Sequence, residues 1–345
     1  MSSQTVQPSA SNSASTAFAR VNPHPFDFPA GDAQMLVTYK NQAITCLVCS
    51  QALVCASPVW KKFLFPPWVP APAPTTGPRQ IDCSEDDGEA LLILLNILHL
   101  KFKDVPIRLG YKVLIQVAVL CDQYICVSIA KPWIDGWMRE VETDLVAKNF
   151  VTPHMLFACW VLGREATFET LAQKLILELR MDKQGRWRSR RGWLVEIPEP
   201  MPSHIMDNIK RIRLETIEAL LRVPYSAVIK FKRTKKVLCK MSHIASDDSH
   251  CDGSTLGTII RGLDLADLEY GTEAADIMMS IEEVAAAIDD IHIYHLQHDP
   301  ARPLVDHSVC HARNFQEGVA NVLRIVESPV EDSHREHMRA QNSKM

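Results

Sequence analysis

The earliest apolar patterns in the chain are short. Residues 35–39 and 44–49 are apolar-rich runs separated by Lys40, Asn41 and Gln42, the length and turn chemistry of a β-hairpin. Residues 79–83 supply a third short strand. Helical signals then dominate. Ser57 followed by Pro58 predicts a helix start, because the proline lacks only an N–H that the first turn would leave unpaired. Ser-Glu-Asp-Asp at 84–87 is a capping-box-like start for a helix over 89–100. Its middle is apolar nearly all round (Leu91, Leu92, Ile93, Leu94, Leu95, Ile97, Leu98), which predicts a core helix covered by several elements.

Further helices follow over 113–121, 125–138, 155–162 (opened by Thr152 and Pro153) and 165–180. Residues 187–202, with Arg186, Arg188, Arg190 and Arg191 and several prolines and glycines around them, predict an exposed link. Beyond it, residues 203–221 form an amphipathic helix through Ile205, Ile209, Ile212, Leu214, Ile217, Leu220 and Leu221. Pro224 is expected to bend or interrupt its continuation to Phe231. Three more helices are predicted over 256–265, 281–291 and 315–326, the middle one opened by the capping box of Ser280 and Glu283. No repeat of fixed period is present.

A length of 345 residues predicts two folded units with tails. Hydrophobic residues at 47% and charged residues at 23% exclude wholesale disorder, and a net charge of −4 names no partner. The longest apolar runs fall far below the ~18 residues of a membrane span, and residues 1–30 carry neither a secretory nor a transit signal. The expectation is an intracellular protein of nucleus or cytoplasm, without a membrane association. Ten cysteines at irregular spacing then predict reduced core thiols or metal ligands and not a disulfide framework.

The order of elements from 32 to 137 resembles a BTB/POZ domain. The resemblance rests on Asp-Ala-Gln-Met-Leu-Val at 32–37, the run Ile-Thr-Cys-Leu-Val-Cys-Ser-Gln-Ala-Leu at 44–53 and Ala-Ser-Pro-Val-Trp-Lys-Lys-Phe at 56–63. Residues 81–87 before the leucine-rich helix, and Ala-Val-Leu-Cys-Asp-Gln-Tyr at 118–124, complete it. Where the family has a His-Lys pair after its second strand, this chain has Cys49 and Ser50, and a Pro-rich stretch at 66–78 replaces a short link. That stretch and the ending Pro-Trp-Ile-Asp-Gly-Trp at 132–137 resemble fungal members of the family. The resemblance implies an α+β, mostly helical protein: a disordered tail (1–30), a BTB/POZ fold of small sheet and helices (31–143) and a helical extension (144–185). A linker (186–202), a helical C-terminal domain (203–330) and a tail (331–345) complete that division.

The chemistry-bearing residues cluster in the second half. Cys239 and Cys251 stand at a C-x11-C spacing, and His307 and Cys310 at an H-x2-C spacing, a donor set that zinc binds tetrahedrally. A similar C-terminal segment occurs in fungal BTB-like proteins, matched here by Cys239, by Cys-Asp-Gly-Ser-Thr-Leu-Gly at 251–257 and by Asp-His-Ser-Val-Cys at 306–310. The resemblance extends to Ser328, Pro329 and residues 333–341. Four protein ligands leave no open position, so the expected role is structural. His243, His250 and His311 are rival ligands.

Other signals are weaker. Six bases between Lys230 and Lys240, with Arg186 to Arg191, fit either phosphate contacts or a solvated face. The acidic stretch 264–290 opposes them in sign. His292, His295 and His298 read as a polar loop. No phosphate loop, nucleophile elbow, His-Glu-x-x-His helix or dinucleotide fingerprint is present, so no catalytic or cofactor-binding residue is assigned. The expectation is a non-enzymatic adaptor or scaffold whose partners are proteins, through homo- or hetero-dimerisation or recruitment of a cullin ligase scaffold. The alternatives are a zinc-stabilised, nucleic-acid-associated regulator and a thiol enzyme.

Overall fold

The computed structural model describes residues 25–66, 79–148, 152–241, 248–294, 306–312 and 314–343. It is mostly helical with two small sheets, and the chain divides into two compact units, Met1–Val105 and Pro106–Met345. The division falls inside the segment 31–143.

In the first unit, β1 (Ala33–Tyr39) and β2 (Gln42–Val48) form the expected antiparallel hairpin. Lys40 and Asn41 both take positive φ, 49° and 62°, giving a two-residue turn whose twist suits the strands. Helices α1 (Ser50–Ala56) and α2 (Pro58–Leu64) lead to β3 (Arg79–Cys83), which pairs in parallel with β1 to give the order β2-β1-β3. The apolar pattern assigns no helix to 50–56. It forms there with help from the neighbouring strand: Asp32 accepts the Ser50 N–H at 2.6 Å through Oδ1 and the Ser50 hydroxyl at 2.7 Å through Oδ2. The N-cap residue Cys49 makes no side-chain cap of its own. The Ser50 backbone N–H, then its hydroxyl, holds the Asp32 carboxyl below the usual carboxylate range.

Ser57 caps α2 as the sequence predicts, accepting from Val59 and Trp60 N–H. For α3 (Gly88–Leu98) the cap is Asp87 instead of Ser84; its carboxylate accepts from Glu89 and Ala90 N–H at 3.1 and 2.9 Å. Gly88 fixes that start, because a Cβ there would lie 2.2 Å from the Thr38 carbonyl oxygen, so the helix presses directly on the β1 backbone. The core gathers Met35, Val37, Leu53, Trp60, Leu91, Leu94 and Leu95.

Two features depart from the expected disordered tail at 1–30. Phe26 and Phe28 are buried; Phe28 stacks on His99 at 4.1 Å and Phe26 meets Tyr39 edge-on at 5.4 Å. This aromatic burial offsets the entropy of ordering the segment. Residues 1–24, and the Pro-rich stretch 67–78 with Trp68, lie outside the described residues. His99 also ties the sheet to α3: Nε2 accepts the Cys49 N–H at 3.0 Å while Nδ1 donates to the Leu95 carbonyl at 2.8 Å, an arrangement that requires the neutral ring. Burial lowers its pKa from the ordinary 6.5.

In the second unit, α4 (Tyr111–Gln123), α5 (Val127–Lys148), α6 (Pro153–Val161) and α7 (Glu165–Glu178) follow the expected helical run, with Thr152 capping α6. The stretch predicted as an exposed link contains part of a hairpin of β4 (Arg180–Met181) and β5 (Trp187–Arg188). Asp182 organises its turn, accepting from the Gln184 and Arg186 N–H groups and pairing with Arg186 at 2.9 Å and Arg188 at 2.8 Å.

Helix α8 (Ile205–Arg233) runs through Pro224 without interruption. Its buried face (Ile205, Ile209, Ile212, Ile217, Leu220, Leu221, Val228) lies on both sides of the proline and packs on α7, α9 (Asp248–Leu265), α10 (Ile281–Asp289) and α11 (Gln316–Arg324). Burial on that scale offsets the ~3 kcal/mol that an interior proline costs. The capping box of Ser280 and Glu283 opens α10 as expected, and Glu283 also receives Arg180 at 2.6 Å.

Residues 331–345 were expected as a tail, yet α12 (Asp332–Ser343) docks on α6 and α7. Met338 is buried, His337 stacks on Trp160 at 3.8 Å, and Arg335 and Arg339 pair with Glu169 and Glu165. Gly163, at φ 72°, turns the chain between α6 and α7, and its carbonyl accepts from Asn342 at 2.7 Å. Among the described residues no helix is long and apolar enough to cross a membrane.

Leu94 is wholly buried and Leu98, one turn on, only partly. Leu94→Ala should therefore destabilise the first unit by about 2–5 kcal/mol and Leu98→Ala by less, read from urea melts of the full chain. Equal effects would place the core elsewhere. Because the folded state favours neutral His99, its contribution is complete above pH 6.5 and is lost as pH falls through the lowered value. Amide protection in α3, corrected for intrinsic exchange, should fall from pH 7 to pH 5 more steeply in the native chain than in His99→Gln.

Candidate metal centre

Three separate segments deliver the four predicted ligands. Cys239 lies just beyond the end of α8. Cys251 sits in the first turn of α9, which begins at Asp248, well before the 256 expected from its apolar spacing. His307 opens a single 3-10 turn, His307–Val309, capped by Asp306, and Cys310 closes it. Residues three apart eclipse in 3-10 geometry, which explains why an H-x2-C pair presents both donors to one side.

The four side chains converge and are buried: Cys239, Cys251, His307 and Cys310 are 3%, 1%, 3% and 4% exposed. Cys239 Sγ lies 3.4 Å from His307 Nδ1 and 3.7 Å from Cys310 Sγ, and Cys310 Sγ lies 3.8 Å from His307 Nδ1. All four ligand atoms fall within 4.8 Å of one another. A tetrahedron built on metal–sulfur bonds of ~2.3 Å and metal–nitrogen bonds of ~2.0–2.1 Å has edges of roughly 3.5–3.8 Å. A disulfide would require about 2.05 Å. The cluster can therefore hold a metal ion, and its donor chemistry, three sulfurs and one imidazole nitrogen, fits a soft or borderline divalent cation.

The thiols are far from the state that a nucleophile needs. Burial raises the pKa of Cys239 and Cys251, and the neighbouring Cys310 adds to the rise in both. Elsewhere burial pushes the Cys46 thiol up to about 11 and raises Cys159 further. Reactive cysteines lie in the opposite direction. A divalent cation among three sulfurs reverses this balance, since thiolates are its ligands.

The rival ligands separate. His250 is exposed on α9, and His243 lies outside the described residues. His311 faces Asp252, with Nε2 3.1 Å from Oδ1, and these two with Cys251 form a second group of converging donors. His292 packs edge-on to Tyr294 at 5.2 Å, whereas His295 and His298 lie outside the described residues. Of the basic stretches, the arginines at 186–191 have partners: Asp182 for Arg186 and Arg188, Glu282 of α10 for Arg190 at 3.9 Å, and the Trp193 ring for Arg191. Lys232 lies over the Tyr270 ring and Lys240 donates to the Val309 carbonyl at 2.7 Å.

Sequence reasoning missed Asp252 and Arg213. The first stands beside Cys251 in a Cys-Asp dipeptide, which was the available signal. The second is a charge on the apolar face of α8, 1% exposed, donating through Nη2 to the Ile277 and Met279 carbonyls at 2.8 and 2.7 Å. Burial lowers its pKa to about 10. Comparison of the chain with protein-family models and with curated proteins gave no match.

Proposed function

We propose that this protein is a non-enzymatic adaptor or scaffold, with a BTB/POZ-type first unit that binds other proteins and a helical second unit held together by structural zinc. The buried Cys239, Cys251, His307 and Cys310 cluster carries the zinc part: four protein donors close the coordination shell and leave no position for substrate. The cluster brings together segments of the second unit separated by 68 and 71 residues, so metal binding would contribute directly to folding free energy.

The adaptor reading is supported by the BTB-like order of elements, now with a β2-β1-β3 sheet and helices α1 to α3, and by exposed large apolar side chains in the first unit. Leu47, Phe63, Leu100 and Phe102 are exposed there, side chains of the kind that protein interfaces cover. Its partners would be a second copy, another protein or a cullin scaffold, in the nucleus or cytoplasm. The exposed Lys230, Arg233, Lys235 and Lys236, on the segment leading into Cys239, favour the second reading, a zinc-stabilised nucleic-acid-associated regulator.

Elemental analysis of the purified full chain should give about one zinc per molecule, and Cys251→Ser or Cys310→Ser should lose both the metal and the cooperative unfolding of the second unit. Metal-free protein with that unit intact would remove the zinc site. For the adaptor role, light scattering and affinity purification should find a stable protein complex that Phe63→Ser with Phe102→Ser weakens. Nucleic-acid binding that falls steeply with salt, and no protein complex, would return the second reading.

A further inference from the structure

We infer that Asp252 and His311 form a brace that positions the metal ligands without coordinating the ion, an inference that rests on the zinc reading above. Asp252 follows Cys251 directly. Its Oδ2 accepts the backbone N–H of Leu238, the residue before Cys239, at 2.7 Å, and its Oδ1 meets Nε2 of His311, the residue after Cys310, at 3.1 Å. One carboxylate thus touches the immediate neighbours of two ligands and belongs to the neighbour of a third.

Both carboxylate oxygens are engaged by groups other than the ligand atoms. The side chains of the pair are 19% and 11% exposed, so water competes weakly for either hydrogen bond. The His311 ring is held edge-on against Phe231 at 5.0 Å, which limits its rotation. Lys240 adds a second tie between the same two segments through the Val309 carbonyl.

The physical consequence is preorganisation. Metal–ligand distances tolerate only about ±0.2 Å, whereas the three ligand-bearing segments share no secondary structure with one another. Hydrogen bonds from a single carboxylate fix their relative register before the metal arrives, so less ordering entropy opposes binding. Losing the carboxylate leaves the Leu238 N–H unpaired in a poorly solvated site and releases the His311 ring.

The test uses the full chain, with zinc affinity measured by competition against a chromogenic chelator and the ligand set read from the visible spectrum of the cobalt-substituted protein. Asp252→Asn keeps the side chain's size but can accept only one of the two hydrogen bonds. It should weaken zinc binding about 10- to 100-fold while leaving the thiolate-to-cobalt bands intact. His311→Ala should weaken binding in the same direction, and His311→Gln, which retains a donor for Asp252, should restore most of it. Adding His311→Ala to Asp252→Asn should cost little more, because the two act as one unit.

Wild-type protein that loads zinc while Asp252→Asn binds it equally well overturns the brace and leaves the zinc site standing. A cobalt spectrum altered in its ligand set makes one of the pair a ligand and also overturns it. Lowered thermal stability of either single variant at unchanged zinc affinity assigns the pair to packing alone and does the same. Wild-type protein that loads no zinc overturns the zinc reading itself, and the brace with it.

Discussion

The continuous burial of helix α8 is the constraint on which the second unit depends. Its apolar face meets α7, α9, α10 and α11, so the positions of those helices are set by one surface 29 residues long. The same face buries Arg213, whose guanidinium finds backbone carbonyls at Ile277 and Met279 where a carboxylate would be usual. Those carbonyls belong to the loop before α10, and Met278 between them accepts the Met181 N–H of the β4–β5 hairpin at 3.3 Å. A charge that is costly to bury thereby specifies the path of a loop. The C-terminal end of α8 then leads, six residues on, to Cys239.

Much of this was legible in the sequence because it rests on local physics. The Lys40–Asn41 turn, the Ser57 and Thr152 caps and the Ser280–Glu283 box each need only neighbours in the chain. The four converging side chains, Cys239, Cys251, His307 and Cys310, were legible through their residue types and the close H-x2-C pair. What was not legible depends on partners far away in sequence. Helix α1 relies on Asp32, 18 residues earlier; α12 relies on an acidic and aromatic face more than 160 residues earlier; α8 survives Pro224 because helices yet to come bury it. A window read for periodicity cannot weigh such contacts, so it ends helices too early and assigns tails where a surface lies waiting.

Charge behaves differently in the two basic stretches, and position explains the difference. Arg186 and Arg188 lie beside a tight turn whose Asp182 reaches both at once, so they are tied into the hairpin, while Arg190 faces Glu282 of α10. The bases at 230–236 occupy the final turn of α8 and the exposed irregular segment after it, where the helix C-terminus favours positive charge but no carboxylate is within the same turn. Composition alone treats both as equal clusters. The first stretch meets carboxylates of Asp182 and Glu282, whereas in the second Lys230, Arg233, Lys235 and Lys236 are exposed and Lys232 lies over the Tyr270 ring.

The docking of α12 has a consequence for the order in which the protein is made. The ion pairs Arg335–Glu169 and Arg339–Glu165 and the Asn342 bond to Gly163 span 166, 174 and 179 residues. During synthesis, helices α6 and α7 leave the ribosome long before α12 exists, with the Trp160 ring and two glutamates of their outer face still uncovered. At ~5–20 residues per second that interval lasts on the order of ten seconds or more. The nascent second unit therefore passes through a stage in which the face of α6 and α7 that α12 will cover is open to solvent, to chaperones or to a neighbouring chain.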